Sequence, residues 1–464
     1  MAMMKGFSNA FRIPELRKKI MVTLGLVFVC RLVSQIPTPG VDWRTLQQVI
    51  ESMRQESGGG LIDWFNVFTG GALGQCAIGF LSIWPYISAQ IVIQLLSSVI
   101  PSLEKLKKEG ETGRQQLAQI TRYLTIFLCI VQSWGIATAL MHPGMLSPAL
   151  AGSQIVANPG LGFQLMTVIG MTSAALFVMW LADQITTFGI GNGASLIIMI
   201  NITSRLPDAL ISAWERYFGL AGVQASAPIA ELPILVIFFL LVVMGTVMLT
   251  QGVRKVAIHS TRRSVGGGST YGMQQTFMPL RVNYTGVMPI IFAQPLIQIP
   301  SAILMKVTDP TSAGISGALN RFAQDLSNPT TLHLAVYAAL IMFFAFFWVA
   351  TQFNAIEISE NLKKGGSYVP GIRPGRATAE YLDDMMTKIT LIGGTGLLIV
   401  ALIPMILMGW MSVPWAVASF FGGTSLLIIV GVALDTLRIM ESHLLVRKYE
   451  GFLSHGSLRG RGGV

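Results

Sequence analysis

Long runs of apolar residues, separated by short polar stretches, dominate this chain. The near-continuous apolar windows lie at about 20–36, 76–99, 119–141, 161–182, 193–206, 232–250, 285–305, 332–351, 389–409 and 420–438. All but one are long enough for a helix to cross the roughly 30 Å hydrocarbon core of a bilayer, allowing for tilt. The exception, at 193–206, is shorter and begins with glycine. The pattern predicts an all-α, polytopic membrane protein with ten transmembrane helices.

Lysine and arginine are concentrated in alternate loops. Counted alternately from the N-terminal segment, five regions hold 25 of the 32 Lys and Arg residues, whereas the opposite loops hold 6 and Arg31 lies within the first window. Cytoplasmic loops carry such an excess of basic residues. The asymmetry and the even number of windows therefore predict that both termini are cytoplasmic.

The ten windows divide into two groups of five. We expect an N-terminal half at 1–206, a C-terminal half at 207–438 and a cytoplasmic tail at 439–464. If the halves are structural repeats, an odd number of spans in each makes them inverted, related by a pseudo-twofold axis in the membrane plane. The halves share no convincing sequence similarity, so this step rests on the span count.

Composition argues against a soluble protein and against an enzyme. Only 12% of the residues are charged, about half the roughly 25% of a soluble domain. The cysteines (Cys30, Cys76 and Cys129) show no CxxC or metal-like spacing, and the five histidines form no HExxH motif. The chain also lacks the GxxxxGK[ST] phosphate-binding motif. We expect neither an enzyme nor a bound metal or cofactor.

Ionisable residues are almost absent from the apolar windows. Ion-coupled transporters usually need acidic or His groups near the membrane midplane, whereas Asp183 and Asp435 lie near the cytoplasmic ends of their windows. Arg31, toward the outer end of the first window, either snorkels to the interface or pairs within the bundle. A secondary transporter for a small solute is therefore disfavoured, but it stays the alternative function.

Residues 61–73 form an apolar, aromatic segment that is too short to span a bilayer. It precedes the second window on the outer side, and Gly70 and Gly71 offer a hinge. One interpretation is a short amphipathic helix on the membrane surface. The other is a half-helix folded back into the bundle, where protein or a water-filled cavity shields its backbone.

Two cytoplasmic loops, at 251–284 and 352–388, are longer than simple connectors. The first carries five basic residues and no acidic one. In the second, Pro370 and Pro374 fix the backbone on both sides of Arg373, so this arginine should be presented on a stiff turn. Positive-inside sorting explains the charge of single lysines, but not a proline-braced arginine, for which we predict a docking role.

Several segments, in order and across nearly the whole chain, resemble one family. They are Ile36 to Gly40, Phe68 to Leu73, Pro85 to Ala89, Lys107 to Glu111, Gly189 to Gly193, Val369 to Gly375 and Gly422 to Ser425. In these segments the chain is similar to the bacterial SecY family, the channel-forming subunits of the protein translocase. The resemblance implies an hourglass-shaped, central pore between two inverted five-helix halves.

The resemblance also implies which residues line and close that pore. The constriction ring falls on Ile83, Ile87, Ile198, Ile291 and Ile428, with Ala194 and Met288 standing where the family often places further branched apolar residues. The plug falls on 61–73, with side chains and hinge at Leu61, Ile62, Trp64, Phe65, Phe68, Gly70, Gly71 and Leu73. Each isoleucine of the ring also fits ordinary packing within a span.

The same resemblance implies a lateral gate and docking surfaces. Polar residues of the gate fall on Gln94, Asn192 and Asn283, and docking residues on Arg254, Lys255 and Arg373. The first loop departs from the family at its tip, where Gly266 to Gly268 stand in place of basic residues. Implied partners are the SecE and SecG membrane subunits, the SecA ATPase, the ribosome, signal peptides and nascent chains, and membrane lipids. The implied location is the bacterial cytoplasmic (inner) membrane.

Overall fold

A computed structural model describes most of the 464 residues, and most of the described residues are helical. The described residues are 13–42, 44–50, 66, 69–143, 155–219, 228, 231–260, 275–308, 314–328, 330–411, 413, 417–418, 420 and 423–455. The helices are α1 (Pro14–Val33), α2 (Trp84–Val99), α3 (Pro101–Lys108), α4 (Glu111–Met141), α5 (Leu161–Phe188), α6 (Gly193–Thr203), α7 (Leu206–Phe218), α8 (Glu231–Gln251), α9 (Met288–Val307), α10 (Ile315–Ser327), α11 (Thr331–Gln352), α12 (Ala355–Lys364), α13 (Arg376–Met411) and α14 (Gly423–His455). A short helix at 44–50 and a 3₁₀ helix at Ile78–Leu81 complete the helical elements. The strands are β1 (Val253–Ser260), β2 (Gln275–Arg281) and β3 (Ser367–Tyr368).

Within the described residues, eight helical stretches are long and apolar enough to cross a membrane. They fall on eight of the ten predicted windows, and α1 and α14 cover the first and the last. Helix α1 is not one of the eight, because charged residues, among them Glu15 and Lys19, occupy its first turns. The helical membrane architecture is as predicted, while the count of ten spans stays a prediction.

The chain divides into two compact units. One comprises Met1–Leu206 with Val432–Val464, and the other Pro207–Gly431. The border after Leu206 falls where we expect the N-terminal half to end. The first unit also takes in residues 432–438, which we assigned to the C-terminal half, and Met440 of α14 shares a small core with Leu16. The bounds of the two halves stay a prediction.

Small residues hold the helices of the first unit close together. On α4 the buried residues follow a four-residue interval that keeps them on one face: Thr121, Thr125, Cys129, Ser133 and Ala137. This face packs on α5, where the hydroxyl oxygens of Ser133 and Thr172 lie 3.2 Å apart. Small side chains let helix backbones approach closely, the usual basis of packing between membrane helices.

The second unit has an extended apolar core between its helices. Ile290 and Ile297 of α9, Ile341 of α11 and Leu397 of α13 lie almost completely buried in one cluster. Helix α9 packs on α10 and α11, and α11 packs in turn on α13. Pro295 and Pro300 lie inside α9 without ending it, as neighbouring helices allow in membrane proteins.

A small sheet interrupts the helical pattern and was not predicted. Strand β1 pairs antiparallel with β2, from Val253 opposite Arg281 to His259 opposite Gln275, and pairs on its other side with β3. Alternate side chains of the hairpin, including Val256 and Leu280, are buried against Leu382 of α13. The described parts of this loop, 251–260 and 275–284, therefore include a pair of strands whose apolar face packs on the helices.

The second long loop is also largely folded. It contains α12, strand β3 and the first turns of α13, which begins at Arg376, well before the predicted window at 389–409. Hydropathy misses these turns because their exposed face is polar, while Ala379, Leu382 and Met386 are buried on the other face.

Candidate functional site

The first unit carries three of the five predicted ring residues. Ile83 immediately precedes α2, and its carbonyl oxygen accepts a hydrogen bond from the backbone N–H of Ile87 one turn later, at 3.1 Å. Both side chains are buried. Ile198 lies in the middle of α6 and is half-buried, as is Ala194 one turn before it.

The second unit carries the other two ring residues. Ile291 lies in the first turn of α9, which Met288 opens, and Ile428 lies near the start of α14. Both side chains are buried. Neither belongs to the apolar core cluster of this unit, whereas the adjacent Ile290 does. All five predicted ring positions thus carry hydrocarbon side chains at helix starts or within helices.

Within the predicted plug, 61–73, the structure describes only residues 66 and 69–73. Leu61, Ile62, Trp64, Phe65 and Phe68 lie outside the described residues, whereas Gly70, Gly71 and Leu73 lie within them. Gly70 and Gly71 have φ angles of 66° and 91°, in the left-handed region that glycine adopts without penalty. The two glycines therefore form a sharp turn where the sequence predicted a hinge.

Sequence reasoning missed a polar network that reaches this turn. The guanidinium of Arg31 donates hydrogen bonds to the carbonyl oxygen of Gly70 and to Oδ1 of Asn201. Asn201 in turn donates from Nδ2 to Oγ of Ser82 at 3.0 Å. Arg31 thus pairs within its bundle, the second of its two predicted alternatives. Asn201 could have been noticed as an amide inside an apolar window.

The predicted gate residues occupy helix ends and connections. Asn192 begins α6 and caps it, because its Oδ1 accepts a hydrogen bond from the backbone N–H of Ser195 at 3.1 Å. Gln94 lies half-buried on α2 of the same unit. Asn283 belongs to the second unit, between β2 and α9, where its Oδ1 accepts from the hydroxyl of Thr285 at 3.3 Å. Asn192 therefore has a local structural role beside any role at a gate.

The predicted docking residues share one folded module. Arg254 and Lys255 are exposed on β1, and Arg373 is exposed on the turn that follows β3. Because β1 pairs with both β2 and β3, the two loops belong to a single sheet. Gly266 to Gly268 of the first loop lie outside the described residues.

The turn that carries Arg373 is held from both sides. Val369 is buried, and its carbonyl oxygen accepts a hydrogen bond from the backbone N–H of Ile372 across Gly371, whose φ is 80°. After the turn, the hydroxyl of buried Thr378 donates to the carbonyl oxygen of Arg373 at 2.9 Å. Such a turn holds the backbone at Arg373 in one conformation, with the side chain exposed.

No metal centre is formed by the residues that the structure describes, where no three His, Cys, Asp or Glu side chains lie together in a suitable cluster. Asp183, the acidic residue considered for ion coupling, pairs instead with Arg122 at 2.9 Å.

Comparisons with known proteins agree on one family. The family model described as SecY matches residues 77–437. The protein translocase subunit SecY of Streptomyces coelicolor is 41% identical over 454 residues, covering 97% of this chain and 100% of the relative.

A structure of a protein-conducting channel aligns with a TM-score of 0.57 at 15% identity, covering 94% of this chain and 96% of that chain. Sec61 in a canine ribosome–channel complex aligns with a TM-score of 0.55 at 18% identity, with the same coverage. At these identities the structural likeness concerns the fold alone.

Proposed function

The chain belongs to the SecY family, and on that premise we propose that it is the pore-forming subunit of a protein translocase. It would pass unfolded secretory polypeptides across the membrane and release transmembrane segments sideways into lipid. The observation that carries this proposal is the 41% identity to a translocase subunit over its entire length. The protein acts as a channel, not as an enzyme.

The predicted ring suits a seal through which a polypeptide can still pass. Ile83, Ile87, Ile198, Ile291 and Ile428 present only hydrocarbon. A narrow hydrocarbon constriction dewets and closes to ions. It also offers a passing chain no polar group to bind, so a sliding chain meets no preferred stopping point.

A lateral gate would let the membrane itself sort the passing segments. An apolar helix gains roughly 0.3–0.6 kcal/mol for each central Leu, Ile, Val or Phe on entering lipid. A polar segment has to stay in the aqueous path, because each unpaired backbone group in hydrocarbon costs several kcal/mol. Gln94, Asn192 and Asn283 are our candidates for the polar residues that set the stability of this gate.

Energy for transport has to come from partners. We propose that the SecA ATPase and a translating ribosome dock on the module that carries Arg254, Lys255 and Arg373. The structural neighbour in a ribosome–channel complex supports the ribosome as a partner. Exposed basic residues would meet RNA phosphates in a salt-sensitive contact. SecE and SecG would be the membrane subunits, in a bacterial inner membrane with both termini of this chain cytoplasmic.

Depleting the protein from cells is expected to leave signal-bearing precursors uncleaved in the cytoplasm, because this channel is their proposed path across the membrane. Pulse-labelling of several secreted proteins measures this directly. Normal export, together with lost uptake of one small solute, would contradict the proposal and establish the secondary transporter instead.

Cysteine placed at Ile291 is expected to cross-link to a stalled secretory chain, since this side chain is assigned to the pore. The background should lack the three native cysteines, all of which are buried. Ile290→Cys is the matched control, because Ile290 is completely buried in the core of its own unit. Equal cross-linking yields at positions 291 and 290 would remove Ile291 from the ring. So would the absence of cross-linking at position 291 while the secretory chain is shown to be stalled.

A further inference from the structure

Helix α10 (Ile315–Ser327) turns its large apolar side chains away from the protein. Ile315, Leu319 and Phe322 are 81%, 40% and 46% exposed, and we call them the apolar face of α10. Because an α-helix advances about 100° per residue, these three side chains lie on one side of it. An amphipathic helix that packs on a protein core normally buries such a face. The apolar face of α10 therefore suits contact with something other than its own chain.

The side of α10 that is buried is mostly small and polar. The buried residues are Gly317, Asn320, Ala323 and, in the last turn, Leu326. Nδ2 of Asn320 donates hydrogen bonds to the carbonyl oxygen of Thr308 at 2.8 Å and to its hydroxyl oxygen at 3.0 Å. Thr308 follows the last residue of α9, where backbone carbonyl oxygens lack partners within the helix. These hydrogen bonds fix which side of α10 faces the protein.

Charged residues occupy the remaining side of α10. Arg321 and Asp325 lie one turn apart, and both are exposed. Around the helix axis, the buried, the apolar and the charged sides are centred roughly 120° apart. With its buried side against α9, the helix therefore directs its apolar face to one side and its charges to the other. A helix that lies at a boundary between lipid and water has this arrangement.

The contacts of α10 place it at one end of the spans of its unit. Asn320 reaches the end of α9, and the carbonyl oxygen of Leu326 accepts a hydrogen bond from Nδ1 of His333, in the first turn of α11, at 2.6 Å. Both α9 and α11 are apolar enough to cross a membrane. Strands β1 and β2 lie between α8 and α9 in the chain, so the sheet lies at the opposite end of α9. Helix α10 thus lies where α9 leaves the hydrocarbon core.

The same end of the unit carries a second helix with an exposed apolar face. In α7, Leu210, Trp214 and Phe218 are 56%, 56% and 49% exposed, and the rings of Trp214 and Phe218 stack with centroids 4.3 Å apart. An ion pair between Arg216 and Glu231, at 3.8 Å, joins α7 to the first turn of α8. Tryptophan is enriched at the boundary between membrane and water. Helix α7 therefore supports the same level for this end of the unit.

We propose that α10 is an interfacial helix, whose apolar face inserts into the lipid leaflet on the side opposite the sheet. The face contacts acyl chains just below the headgroups, while Arg321 and Asp325 stay in water. Through Asn320, the inserted helix holds the carboxyl end of α9 at the membrane surface. This inference rests on the membrane-spanning fold and does not depend on what the protein transports.

Leu319→Cys, labelled with the fluorophore NBD, is expected to show blue-shifted emission and to lose fluorescence when nanodiscs contain nitroxide-labelled lipid. The full chain is used without its three native cysteines, all of which are buried. An interfacial helix inserts its apolar face only about 5–10 Å into the boundary of headgroups and acyl chains. A nitroxide near the headgroup should therefore quench the label more strongly than one near the end of the acyl chain.

Arg321→Cys is the matched control on the same turn of α10. Its side chain is also exposed but lies on the charged side, so its label should be quenched by iodide in water and little by the lipid nitroxides. Leu240→Cys, 61% exposed near the middle of α8, supplies the depth reference. There the nitroxide near the end of the acyl chain should quench more strongly. If Leu319→Cys fails to fold, Ile315→Cys carries the same test.

Three results would overturn the interfacial helix. Iodide quenching at position 319 as strong as at position 321 would show that the apolar face meets water. A label at position 319 that neither iodide nor nitroxide quenches would show that another protein chain covers the face. The same depth dependence at positions 319 and 240 would place α10 within the hydrocarbon core. Quenching at position 319 by the shallow nitroxide, together with exposure of position 321 to iodide, supports the proposal.

Discussion

Arg373→Glu is expected to abolish translocation while leaving the protein folded and inserted in the membrane. The side chain is exposed, so its replacement removes no packing. Its turn is held by Val369 and Thr378, and its planar guanidinium can form two parallel hydrogen bonds with one carboxylate or phosphate of a partner. The effect is measured as the translocation of a purified precursor into inverted membrane vesicles. Separate reactions use the SecA ATPase and translating ribosomes, the two proposed partners.

Arg376→Glu is the matched control for Arg373→Glu. It makes the same change of charge three residues later, at a side chain that is 90% exposed and paired with Glu380 at the start of α13. We expect transport close to that of the unmodified protein. Arg373→Lys should fall between the two, because lysine keeps the charge but not the planar fork. Full transport by Arg373→Glu would remove this residue from the docking site.

Gly393→Ala is expected to lower the free energy of unfolding by about 3 kcal/mol, the upper part of the range for overpacking. A Cβ there would overlap the carbonyl oxygen of Val282 and lie 3.0 Å from its carbonyl carbon. Val282 cannot easily yield, because its N–H donates to the carbonyl oxygen of Gly252 at 2.8 Å. Thermal unfolding in detergent measures the loss, and Asn283 should be displaced with its neighbour.

Gly394→Ala is the control at the adjacent position. Its Cβ would meet the end of a flexible side chain, 3.1 Å from Sδ of Met342, which can move aside. Alanine also favours a helix over glycine by about 1 kcal/mol. We therefore expect a change within about 1 kcal/mol in either direction. Similar melting temperatures for the two variants would contradict the close approach of Gly393 to Val282.

Hydropathy predicted the helices because their burial in lipid is a local property of each window. It could not predict where α13 begins, since the polar face of its first turns hides the buried Leu382 and Met386. The hairpin did carry one local signal, because a glycine-rich stretch separates β1 from β2. The pairing of β1 with β3 joins distant segments, and no local pattern encodes it.

The sequence predicted the docking turn, the ring and the polar network around Arg31 to different degrees. The stiff turn at Arg373 was predictable from two prolines, because their effect on the backbone is local, while the docking role of Arg373 stays a prediction. The ring isoleucines came from the family resemblance alone, since an isoleucine in a span looks the same whether it faces a pore or a neighbour. Asn201 was missed because its importance lies in contacts with Arg31 and Ser82, far away in sequence.

The sheet also determines how mechanical force enters this protein. A force applied to the turn at Arg373 cannot move that turn alone, because β3 pairs with β1. Val256 of β1 and Val369, which follows β3, also share a buried cluster with Leu382 and Val349. The force is therefore transmitted both to the carboxyl end of α11, near Val349, and to the amino end of α13, near Leu382. Two loops that are far apart in the sequence thus form one mechanical unit, so a force on either loop also acts on the other.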